Sequence, residues 1–70
     1  MTPLTATEVV FTITTVWAGH LVTCQPRDGS PWRHVIGEYH CLYPDDPYGP
    51  KARTAALDDL NRKLMEGEPA

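Results

Sequence analysis

Residues 8 to 16, Glu-Val-Val-Phe-Thr-Ile-Thr-Thr-Val, alternate between apolar and hydroxyl-bearing side chains. Val9, Phe11 and Ile13 fall on one side and Thr12 and Thr14 on the other, the period of two that marks a half-buried strand. The β-branched content fits the same reading, because such side chains pack well on a pleated surface. Ala18-Gly19 is the expected turn, since glycine accepts the positive φ that tight hairpins demand. A second strand then follows over His20 to Gln25. Beyond it, Asp28-Gly29 sits between two apolar runs, the strongest short hairpin signal in the chain, so a third strand is expected over Trp32 to Tyr43.

The pattern changes at Tyr43. The stretch Tyr43-Pro44-Asp45-Asp46-Pro47-Tyr48-Gly49-Pro50 holds three prolines and a glycine, which end a sheet strand and make a connecting loop. Pro50 suits the first position of a helix, where the missing amide hydrogen costs nothing. From Lys51 to about Glu66 the apolar residues Ala52, Ala56, Leu57, Leu60 and Leu64 recur on one helical face, with Arg53, Asp58, Asp59, Arg62 and Lys63 around it. Gly67 is the natural stop. The expected fold is α+β, a three-stranded antiparallel meander with one C-terminal helix packed on one face (βββα). Residues 1–70 form a single small domain, with 1–6 and 67–70 frayed.

Alternation also assigns faces. Phe11, Ile13, Val22, Cys24, Val35, Tyr39 and Cys41 share the more apolar face, and the helix is expected there. Thr12, Thr14, Leu21, Trp32, His34, Ile36 and His40 take the other. A one-residue slip in the second hairpin would exchange the faces of the third strand.

The stretch His34-Val35-Ile36-Gly37-Glu38-Tyr39-His40-Cys41, with Cys24 and His20 upstream, raises the question of a metal site. Symmetric pairing about Asp28-Gly29 puts Cys24 opposite Arg33 and Cys41 opposite Val16. At about 3.3 Å per residue the sulfurs are then more than about 20 Å apart, too far for a disulfide or a shared ion. His40 and Cys41 are chain neighbours and point to opposite faces. No metal, no cofactor and no catalytic residue is expected from this set. A reactive thiol needs an accessible electropositive setting and a base in reach, and no glycine-rich phosphate loop precedes the helix.

Composition narrows the function classes. A chain of 70 residues buries only a thin core, which favours a binding surface over an enclosed catalytic pocket, so the protein is read as not an enzyme. Six Lys and Arg against nine Asp and Glu give a net charge of -3, with the cations scattered, which argues against direct nucleic-acid binding. The uncharged run from Val9 to Pro26 is too rich in threonine for a membrane span, and the N-terminus lacks the pattern of a secretory signal. Two cysteines without an export signal fit a reducing cytoplasm.

The partner-binding candidates are Trp17, Trp32, Tyr43, Asp45, Asp46 and Tyr48. The aromatics cluster near strand ends and in the proline-rich loop, and tyrosine and tryptophan dominate interface energetics. Asp45 and Asp46 offer a negative face to a basic protein partner. Both outer strands are sheet edges, so a homodimer through either is allowed.

Two resemblances follow. The segment from Tyr39 to Leu64, a strand leading through Tyr43-Pro44-Asp45 and a glycine into a helix bearing Ala55, Ala56, Leu57 and Leu60, resembles the end of a HicB-type antitoxin. The whole chain, short, acidic, with a small sheet, one helix and several exposed aromatics, is similar to phage-encoded anti-CRISPR proteins. That likeness implies a cytoplasmic inhibitor in the bacterial host, binding a CRISPR effector subunit and blocking target DNA or its nuclease. The HicB likeness implies an antitoxin-like regulator that binds a protein partner.

Overall fold

The computed structural model describes residues 3–67 of the chain. A short 3-10 turn, Ala6–Glu8, leads into β1 (Val9–Val16), followed by β2 (Gly19–Pro26), β3 (Gly37–Leu42) and α1 (Pro50–Gly67). The strands form one antiparallel sheet in the order β1-β2-β3, and α1 packs on it through β3 and β2. The expected βββα architecture is therefore the one observed.

Three details differ from the reading of the sequence. The first turn is Trp17-Ala18, because Val16 pairs with Gly19; glycine lies inside the strand and Ala18 takes the positive φ of 66°. The second connection is not a tight hairpin. Asp28-Gly29 does turn, with Ser30 N–H donating to the Arg27 carbonyl at 3.2 Å and Gly29 at φ 96°. Pro31 then has no amide to give a ladder, and the chain turns twice more through Arg33 N–H to Ser30 O and Val35 N–H to Trp32 O. The third strand consequently starts at Gly37, not Trp32, and Cys24 pairs with Gly37 rather than Arg33.

This moves the register of the second hairpin by four residues. Four is even, so every strand residue keeps its face. Val22, Cys24 and Cys41 are buried beneath Ala52, Ala56, Leu60 and Leu64 of α1, with Phe11, Ile13, Tyr39 and Val35 packed half-buried around them. The shift also brings the thiols closer than the sequence implied. Cys24 and Cys41 are four positions apart along adjacent strands, about 13 Å, and both are free. His34 lies exposed in the loop, no longer on one strand with His40, and Trp32 folds back onto the core instead of the outer face.

Close packing of α1 on β3 depends on Gly37. A β-carbon there would collide with the Ala56 carbonyl and the Leu60 amide, so only glycine lets the two backbones approach this closely. Beside that contact, Asp59 accepts a hydrogen bond from the Glu38 amide at 2.7 Å, and Lys63 donates to the Ile36 carbonyl at 2.9 Å. Asp59 is also paired with Arg62 and Lys63. Burial is the largest single influence on this carboxyl and favours its neutral form. The Glu38 amide, Arg62 and Lys63 together outweigh it and hold the acid below its ordinary value.

At the N-terminal end, the Asn61 side chain clasps Leu4, accepting from its amide at 2.8 Å and donating to its carbonyl at 3.1 Å. Of the termini expected to fray, residues 1, 2 and 68–70 lie outside the described residues.

Candidate functional site

The candidate binding residues fall into three separate places. The first is the end of the sheet at the β1–β2 turn. Trp17 stands 96% exposed on the tip of that turn. Tyr43, the first residue after β3, donates its amide to the Ala18 carbonyl at 3.3 Å, which ties the loop following β3 to the hairpin tip. The Tyr43 ring stacks on His20 with centroids 5.2 Å apart and planes inclined by 24°, yet remains 69% exposed. His20 is half-buried beneath it, with Nδ1 enclosed and making no hydrogen bond.

Exposed Val16 and Leu42 adjoin the same end, both opposite Gly19 on the outer face of the sheet. Among the described residues no element covers that face. Leu42 was not among the residues expected from sequence. Its alternation with Cys41 was the available signal, because a buried Cys41 forces its neighbour outward.

The second place is the proline-rich loop. Asp46 is folded into the loop, where Oδ1 accepts from the Tyr48 amide at 2.9 Å, an Asx-type turn. Asp45 donates its amide to the Leu42 carbonyl at 2.6 Å and keeps an exposed side chain. Both acids border a hollow of about 240 Å³ between the loop, Tyr39, Cys41 and Lys51 at the start of α1. Tyr48 projects to the other flank of α1, 66% exposed, beside a second hollow lined by Phe11, Arg53 and Leu57. The two loop tyrosines thus serve different surfaces.

The third place belongs to Trp32, which is half-buried and packed against the core near the opposite end of the sheet. Its indole closes the core there, so the structure separates it from Trp17 and Tyr43.

The thiols have the chemistry of core residues. Burial pushes the Cys24 thiol up to about 11. Burial also raises Cys41, reinforced by the Asp45 and Asp46 carboxylates and opposed by Lys51. A thiol raised in this way is protonated at neutral pH and is a poor nucleophile. Among the described residues, no three His, Cys, Asp or Glu side chains gather where they could hold a metal ion, and no helix is long and apolar enough to cross a membrane. No family model, curated protein or solved structure matches this chain.

Proposed function

We propose that this protein is a non-enzymatic binding module that docks a protein partner through the Trp17–Tyr43 end of its sheet. The specific partner proposed is a CRISPR effector subunit, whose access to target DNA or whose nuclease the bound protein blocks. The observation that carries the reading is the placement of Trp17, almost wholly exposed on a two-residue turn that Tyr43 braces from the next strand. An indole in that position carries a large apolar area with only two side-chain torsions to fix on binding, the property of an interface anchor.

The surroundings supply the remainder of an interface. Val16 and Leu42 extend the apolar area along the outer face. Asp45 adds a negative rim suited to a basic partner, and effector subunits that grip nucleic acid are basic along their channels. The net charge of -3 is small, so steric blocking by the aromatics suits the chain better than mimicry of a phosphate backbone. Protonated, buried thiols fit a binding role as well.

A second reading, an antitoxin-like regulator of a protein partner, is favoured by one observation. A strand passes through Tyr43-Pro44-Asp45 into a helix that packs back on the sheet, as the HicB resemblance implies. The two are separated by challenging immobilised protein with purified effector complexes of several types and following target cleavage. Retention of a complex together with loss of cleavage supports the inhibitor. Failure to retain any complex sinks it, and neutralisation of a co-expressed toxin would then favour the regulator.

A further inference from the structure

The two edges of the sheet are not equivalent. On β3, hydrogen bonds reach β2 through Gly37, Tyr39 and Cys41, since Tyr43 N–H bonds Ala18 O in continuation of that ladder and bonded pairs alternate. Both ends of this edge are tied to other elements, although the His40 amide and carbonyl between them have no partner among the described residues. Asp59 holds the Glu38 amide, Lys63 the neighbouring Ile36 carbonyl, and the Asp45 amide the Leu42 carbonyl.

On β1, among the described residues, no outward group is tied. Arg27 N–H donates to the Glu8 carbonyl, so the even-numbered residues of β1 bond to β2 and Phe11, Ile13 and Thr15 direct their amides and carbonyls outward. Among the described residues nothing meets these groups. The strand, Val-Val-Phe-Thr-Ile-Thr-Thr-Val, contains no charge, proline or glycine, the devices that ordinarily blunt an open edge. Its inner face is also incompletely roofed. The helix packs on β3 and β2, leaving Phe11 and Ile13 half-buried, with Phe11 beside a hollow of about 240 Å³ along the β1 flank of α1.

We propose that β1 pairs antiparallel with β1 of a second copy of this chain, joining two three-stranded sheets into one of six strands. A second copy fits because the strand is its own complement. Outward groups occur on odd residues in both copies, so a two-fold axis sets odd against odd and keeps the two helices on one side of the joined sheet. With Phe11 opposite Ile13 of the second copy, Val9 meets Thr15, Val10 meets Thr14 and Thr12 meets its own equivalent. No like charges oppose one another along the ladder, although each chain carries a net charge of -3. The half-covered Phe11 and Ile13 of both copies then line one central groove between the helices. Antiparallel pairing places the two Trp17 tips at opposite ends of the shared ladder, so the dimer presents two docking ends.

The test is solution mass with the full chain over a concentration series, paired with amide exchange. The expected result is a species of twice the 7.8 kDa chain mass, with the amides of Phe11, Ile13 and Thr15 protected as it forms. Thr15→Pro removes an outward amide that the monomer does not use and is expected to give a folded monomer. Thr12→Lys, which keeps every amide but sets two like charges directly opposite at the two-fold axis, is expected to weaken the dimer at least tenfold and serves if the proline variant fails to fold. A wild-type chain that stays monomeric at millimolar concentration overturns the proposal. So does a dimer that persists unweakened in a folded Thr15→Pro or in Thr12→Lys, or one that is lost only in His40→Pro on the β3 edge.

Discussion

The carboxylate of Asp59 on α1 accepts the backbone amide of Glu38 on β3 at 2.7 Å, fastening the helix to the strand beside the contact at Gly37. This acid keeps a main-chain donor satisfied at a sheet edge and holds two cations around it. Asp59→Ala should therefore cost about 1–2 kcal/mol, toward the low end of the roughly 1.5–3 kcal/mol of a hydrogen bond to a charged group because the site is only partly shielded from water. Its pH dependence has a definite sign. A depressed carboxyl stabilises the fold above its unfolded value, and that contribution is lost as pH falls through the lower folded value. Urea midpoints of wild type and Asp59→Asn should differ from neutral pH down to the ordinary carboxylate value of about 4, and converge as pH falls further through the lower folded value.

The strained turn gives a prediction of opposite sign. Ala18 occupies φ 66°, where a β-carbon costs about 1–2 kcal/mol, whereas glycine enters freely. Part of that gain is offset by the greater freedom of glycine in the unfolded chain, about 0.4–1 kcal/mol. Ala18→Gly is thus expected to raise stability by about 0.5 kcal/mol, read as a higher urea midpoint at unchanged slope.

Both thiols should resist modification until the protein opens. At neutral pH a thiol reagent is expected to label Cys24 and Cys41 at the rate of unfolding, many times slower than the denatured chain. Cys24 rises to about 11 in the fold from an ordinary value of 9.0, so its contribution is complete below the unfolded value. Stability should decline between about pH 9 and pH 11 in wild type, and less in Cys24→Ala.

The two tryptophans should part company. Trp32 packs half-buried on the core, so Trp32→Ala should lower stability by about 2 kcal/mol, below the usual range for a wholly buried aromatic. Trp17→Ala removes a side chain that is 96% exposed and should leave the thermal midpoint unchanged within about a degree.

The contrast also marks how far the sequence could be read. The period of two in β1 and the spacing of Ala52, Ala56, Leu60 and Leu64 specify elements through burial alone, and both stand as expected. Strand register depends on which turn closes each hairpin. There Trp17-Ala18 replaced Ala18-Gly19, and Pro31 with Trp32 drew the second connection out to residues 27–36. Faces survived because both shifts were even. The tie between Asp59 and Glu38 was hidden for a different reason. Its spacing to Arg62 and Lys63 was visible, but a side chain reaching a distant backbone amide follows only from how closely the helix approaches the strand. Trp17 and Trp32 looked alike in sequence, each beside a strand end, and only the course of the second loop sent one inward.

Binding at the hairpin end is tested most directly by the dissociation constant of a CRISPR effector subunit for wild type and for Trp17→Ala, measured side by side with their thermal midpoints. A central anchor contributes about 2 kcal/mol or more, so affinity should fall roughly 30-fold or further while the midpoint stays fixed. Equal affinity in the two proteins, or no binding of any effector subunit by wild type, would contradict the account.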